Sequence, residues 1–147
     1  MSASQSLIKL RDLQALREHR SKSEHAKAVR SKRETVKEAE AAAAKLRAQN
    51  EALDHYASQG QLQIDRFQIF AQLITEGEAE LLARKDTQAE ADEHEAQAAR
   101  MRVRAEKQSE QLATRHAQAL TKERRKAEDK KAREFLSQRA ASMGEKR

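Results

Sequence analysis

The chain has 147 residues, with 30 basic and 24 acidic side chains, a net charge of +6, and neither cysteine nor proline. The lack of cysteine excludes disulfides and thiol chemistry and permits a reducing compartment. Leu, Ile, Val and Phe together number 23, too few for a globular core. Ala, Glu, Lys, Leu and Arg supply 89 residues, and mixed charge with abundant alanine and no proline favours long helices over coil. The N-terminus from Met1 to Leu16 lacks the apolar run of a secretory signal, and no stretch approaches the ~20 apolar residues that would span a bilayer, so a cytosolic, soluble chain is expected.

Three glycines are present, Gly60, Gly77 and Gly144, and only Gly60 sits where polar neighbours (Ser58, Gln59, Gln61) allow a bend. The expected fold is therefore all-α, a two-helix antiparallel coiled-coil hairpin with a longer second helix, as one domain over 1–147. The first helix is predicted over about residues 5–57, with Ser4 or Ser6 as its cap. Its second half carries a heptad seam of Val29, Val36, Ala39, Ala43, Leu46, Asn50, Leu53 and Ala57, with Lys32 as the poor member. Before Val29 the phase is lost. Leu7, Leu10, Leu13 and Leu16 recur every three residues, and Arg17 to Lys27 is polar, which reads as a slip in register or a loosely packed stretch.

After a turn over about residues 58–64, Asp65 and Gln68 have the spacing of a capping box, and the second helix is predicted over about 65–142. Its seam runs Phe67, Phe70, Ile74, Gly77, Leu81 and then thins to Arg84, Gln88, Ala91, Ala98, Ala105 and Leu112. Matching the seams pairs Leu53 with Phe70, Asn50 with Ile74, Leu46 with Gly77 and Ala43 with Leu81. Large mostly meets small, as interdigitating layers require. On that register roughly 25 residues at the C-terminus have no partner within the chain, since helix length is proportional to residue count.

Charge is distributed unevenly. Residues 9–33 carry nine basic and three acidic side chains, whereas 34–100 carry seven basic and fourteen acidic. Folding at Gly60 brings the two basic ends together and leaves the turn half acidic.

Two stretches stand out as partner surfaces. Leu62 to Leu82 is apolar on more than one face: Phe67, Phe70 and Ile74 fill the seam, while Ile69 and Leu73 lie on another side, which points to docking or self-association. Thr121 to Glu134 is basic (Arg124, Arg125, Lys130, Lys131, Arg133) but interrupted by Glu123, Glu128, Asp129 and Glu134, and it ends in Phe135 and Leu136. Interspersed charge of this kind is the mark of a solvated face, and no stacking aromatics accompany it, so no nucleic-acid partner is assigned. Phe135 and Leu136 read as a plug for an apolar socket. The five histidines are scattered without metal-ligand spacing, there is no glycine-rich phosphate loop, and a two-helix hairpin offers no concave pocket. No enzyme, cofactor or metal site is expected. A generic coiled-coil scaffold and a basic RNA-binding helical protein are the competing classes.

The turn and start of the second helix, Gly60-Gln-Leu-Gln-Ile-Asp-Arg-Phe-Gln-Ile-Phe-Ala-Gln-Leu-Ile74, and the C-terminal stretch Lys126-Ala-Glu-Asp-Lys-Lys-Ala-Arg-Glu-Phe-Leu-Ser-Gln-Arg-Ala-Ala141 resemble the FliJ/YscO/HrpO family. These proteins are the central stalk components of type III secretion and flagellar export. The layout of the whole chain is similar, and about thirty residues match by motif. The resemblance implies an antiparallel coiled coil without catalytic activity, cytoplasmic and peripheral to a secretion apparatus at the inner membrane. Its paired termini would enter the pore of a hexameric ATPase through Leu7, Leu10, Leu13 and the helix ending in Phe135 and Leu136. The start of the second helix would face the membrane export gate at Phe70, Ile74, Gly77 and Leu81, without inserting into the membrane. Some members also bind chaperones of secreted substrates. The four gate positions fall in the seam, so gate contact there requires the hairpin to open near its turn, or is made by Ile69 and Leu73 instead.

Overall fold

The computed structural model describes residues 3–145. Two helices account for nearly all of them: α1, Ala3–Ser58, and α2, Ile64–Glu145. They pack against each other as a helical hairpin, and α2 is the longer, 82 residues against 56. The reversal lies where the glycine count placed it. Gly60 has φ +73°, the left-handed conformation that ends a helix at little steric cost only for glycine. On the way into the turn, the Ser58 hydroxyl donates to the His55 carbonyl and the Gln59 N–H to the Tyr56 carbonyl.

Both expected caps differ from what the structure shows. α2 opens one residue before Asp65. Gln63 is the residue that precedes the helix: its carbonyl accepts the Phe67 N–H at 3.0 Å, and its own N–H donates to the Tyr56 hydroxyl at 2.9 Å. Asp65 sits in the first turn, where its charge favours the helix dipole. At the start of α1, Ser4 lies inside the helix rather than ahead of it. Its N–H and hydroxyl both donate to the Glu123 carboxylate, at 3.3 and 2.8 Å. One of the orphan donors of the first turn is thus satisfied from α2 instead of by a local cap.

Contacts divide the chain into two compact units. One comprises Ser21–Arg102. Its innermost line on α1 is Ala28, Thr35, Ala39 and Ala42, all buried, continued by half-buried Leu46, Gln49, Leu53 and Tyr56. Ala39, Leu46 and Leu53 thus stand where the heptad placed them, with Lys32, whereas the other seam position moves back by one residue, to Ala28, Thr35, Ala42, Gln49 and Tyr56. Val29, Val36 and Ala43 are half-buried on its flank, Asn50 and Ala57 are exposed, and the Asn50 amide donates back to the Leu46 carbonyl of its own helix. On α2 the expected phase is observed. Phe70, Ile74, Leu81, Gln88, Ala91 and Ala98 are half-buried and Gly77 is buried, while Phe67 and Arg84 are exposed.

The pairing of the seams is close to that expected. A Cβ built on Gly77 would lie 3.2 Å from Leu46 Cδ1 and 2.6 Å from Gln49 Oε1, so the Leu46 and Gln49 side chains occupy the space that a side chain at 77 would need. Phe70 packs on Tyr56, ring centroids 5.3 Å apart. Below this level the seam is polar. Lys32 Nζ lies 3.7 Å from both Asp92 and Glu95, and His25 lies between Glu95 and Arg102 at 3.3 Å from each. The polar stretch of α1 thus contains no slip: Ser21, His25, Ala28 and Lys32 keep the spacing of Thr35, Ala39, Ala42 and Leu46.

The other unit joins the residues up to Arg20 with those from Val103 on. Polar residues, not the leucines, take its inward positions. Ser4 and Gln14 are only 6% and 5% exposed, whereas Leu10 and Leu13 are 49% and 46% exposed. Gln14 donates its amide to the Ala105 carbonyl at 3.1 Å and reaches Gln108 at 3.4 Å. Arg11 meets His116 at 3.4 Å. Leu112 and Leu120 are half-buried beside them.

Two stability outcomes follow from this packing. Gly77→Leu must displace Leu46 and Gln49 and is expected to lower stability by about 1–3 kcal/mol. Gly77→Ala should stay within about 1 kcal/mol of wild type, because the gain in helix propensity offsets the tight contact. Thermal unfolding followed by circular dichroism measures both. Replacing His25, Glu95 and Arg102 together by Leu should raise the melting temperature, since well-packed apolar residues match or exceed a buried charged cluster by about 1–4 kcal/mol. Glu95→Leu alone should lower it, because His25 and Lys32 then lose their shared carboxylate.

Candidate partner-binding surfaces

α2 outruns α1. Every residue from Arg124 to Gly144 is exposed. This segment is roughly 30 Å of helix. It carries seven basic and three acidic side chains, with Arg124, Arg125, Lys130, Lys131 and Arg133 all solvent-facing. The heptad line that continues the seam passes through Lys126, Lys130 and Arg133, then Ser137 and Ala140. A helix docking here as α1 docks further back would meet three cations first, and so would need acidic residues of its own. Phe135 and Leu136 are exposed near its end, as the sequence suggested.

In the same unit Leu10, Leu13 and Leu16 point away from α2, and Leu7 is half-buried. The three-residue spacing of these leucines winds around the helix instead of following one stripe, so α2 covers at most one of them. The polar residues Ser4 and Gln14 take the inward positions because they have hydrogen-bond partners there.

The residues around the turn form a separate surface. Leu62, Ile64, Phe67, Ile69, Leu73 and Leu82 are all exposed. Of the residues expected to contact an export gate, the structure separates two groups. Phe70, Ile74, Gly77 and Leu81 face α1, whereas Phe67, Ile69 and Leu73 face solvent. Ile69 and Leu73 are one turn apart on one face, so they form a continuous apolar strip. Leu82, the last residue of the apolar segment picked out in the sequence, faces solvent as well.

No group of three His, Cys, Asp or Glu side chains capable of holding a metal ion occurs among the described residues. No helix of the described residues is long and apolar enough to cross a membrane. Comparison of the chain with protein-family models, with curated proteins and with solved structures returned no match.

The solvent-facing strip yields a direct outcome. The double variant Ile69→Ser, Leu73→Ser should leave helicity unchanged and stability within about 1 kcal/mol, as surface substitutions do. A large fall in melting temperature would place these residues in the core.

Proposed function

We propose that this chain is a non-catalytic stalk of a bacterial type III secretion or flagellar export apparatus, coupling a hexameric ATPase to the membrane export gate. The observation that carries the reading is the helix from Arg124 to Gly144: basic, entirely exposed and ending in Phe135 and Leu136. A cationic helix of this kind is suited to an acidic channel, because long-range attraction draws it in and short apolar contacts then hold it. The outward leucines Leu10 and Leu13 offer the ring wall further apolar contact. The strip Ile69–Leu73, with Phe67 beside it, is the surface offered to the gate, so gate binding does not require Phe70, Ile74 or Leu81 to leave the seam. The resemblance of the turn and C-terminal stretches to the FliJ/YscO/HrpO proteins supports the same assignment. On this reading the protein acts at the cytoplasmic side of the inner membrane and escorts chaperones of exported substrates.

Mixing the purified chain with the cognate ATPase provides the test. The intact chain is expected to promote hexamer formation and raise turnover, more strongly at low salt. A chain ending at Glu123 should lose the effect while keeping its helicity. Unchanged assembly and turnover with the intact chain, across several salt concentrations, would sink the assignment.

A further inference from the structure

Within the unit Ser21–Arg102, α1 carries two parallel lines of small or apolar residues, and only one of them meets α2. Ala28, Thr35 and Ala42 form the inner line. One residue along, Val29, Val36 and Ala43 form a second line that stays half-exposed on the flank. β-branched residues at heptad spacing make an effective helix–helix seam, yet here they are left beside one. Val29 and Val36 line a groove of ≈ 490 Å³, whose wall includes Arg33, Lys37 and Glu40 and, from α2, Glu95.

The charges around this groove indicate what covers it. Lys32, at its edge, is tied to Asp92 and Glu95 within the chain. Arg33 and Glu40 take part in no ion pair among the described residues. They lie on the same side of the valine line, Arg33 just before Val36 and Glu40 just after it. If a second α1 is laid antiparallel with a two-fold axis at Val36, Val36 meets its own copy and Val29 meets Ala43 of the second copy. Arg33 then meets Glu40 of the second copy, and symmetry repeats both contacts. Valine against alanine interdigitates, and each unpaired charge finds its opposite. A parallel arrangement would turn the Arg33–Glu40 flanks of the two copies to opposite sides of the interface, so neither charge would meet its opposite. Lys37 is long enough to turn its ammonium group to water.

We propose that the Val29–Val36–Ala43 line is a second, intermolecular seam, through which two copies of this chain pair antiparallel about Val36. The contact uses only residues of α1 in the unit Ser21–Arg102. It leaves Ile69, Leu73 and the C-terminal helix free, so it is independent of the secretion assignment.

The chain has no cysteine, which makes cross-linking decisive. Val36→Cys should form a disulfide-linked dimer under mild oxidation. Val29→Cys should not link to itself, because antiparallel pairing separates the two copies of residue 29 by roughly 20 Å, but should link to Ala43→Cys when the two variants are mixed. Light scattering over a concentration series should report a dimer. Arg33→Glu should weaken that dimer at least about tenfold, as like charges then face each other, and the double variant Arg33→Glu, Glu40→Arg should restore it. Circular dichroism should show unchanged helicity in all of these. A monomer at every concentration, a dimer indifferent to Arg33→Glu, or a residue-29 self-link in place of the 29–43 link would each overturn the proposal.

Discussion

Close approach of two helix backbones is the constraint on which the rest of the structure depends. Among the described residues, those buried between α1 and α2 are alanine, serine, threonine, glutamine and glycine, and no side chain is both large and fully buried. Apolar area per residue is therefore small, and the large residues contribute from the rim: Leu46, Leu53, Tyr56, Phe70, Ile74 and Leu81 are half-covered. A hairpin of this type gains little from transfer of large side chains out of water. It gains from many short-range contacts along a long interface, together with the helix propensity of an alanine-rich chain. Gly77 shows the principle at its limit, since even one methyl group would press on Leu46.

The same constraint explains why the seam tolerates so many polar groups. Where backbones approach closely at alanines, a neighbouring long polar side chain can reach across the gap. Gln14 reaches a main-chain carbonyl of α2, Glu123 reaches the first turn of α1, and the carboxylate of Glu95 is shared between His25 and Lys32. Such groups contribute modestly to stability, because each exchanges hydrogen bonds with water for hydrogen bonds within the chain. They contribute more to register. A shift of one heptad would separate His25 from Glu95 and Ser4 from Glu123, leaving half-buried groups without partners.

Much of the fold was legible in the sequence, for reasons that can be traced to particular residues. Gly60 stands almost alone as a breaker, which fixed both the number of helices and the place of the bend. On early α2 the heptad phase marked Phe70, Ile74 and Leu81 as inward correctly, whereas Phe67, in the same phase, lies beyond the seam and is exposed. On α1 the same reasoning misjudged the face. Val29 and Val36 are more apolar than Ala28 and Thr35, and a rule based on hydrophobicity chooses them. The structure turns Ala28 and Thr35 inward instead, with Gln49 and Tyr56 in place of Asn50 and Ala57, while Ala39, Leu46 and Leu53 stand as the heptad placed them. Polar seam members such as His25 and Gln14 were hidden because their inward position depends on partners about 70 to 90 positions away in sequence. Among the candidate surfaces, the overhanging end of α2 followed from counting residues against the pairing register. The division of the turn segment into Phe70, Ile74 and Leu81 inward, and Ile69 and Leu73 outward, followed from heptad phase.

The bend holds the chain's single tyrosine, and there is no tryptophan anywhere in the sequence. Tyr56 stacks on Phe70 while its hydroxyl accepts the main-chain N–H of Gln63. The phenol therefore bridges the last turn of one helix and the residue that opens the next. Near-ultraviolet emission from this molecule comes from that one ring, so an unlabelled sample reports, through a single native chromophore, whether the two arms remain clasped at their junction.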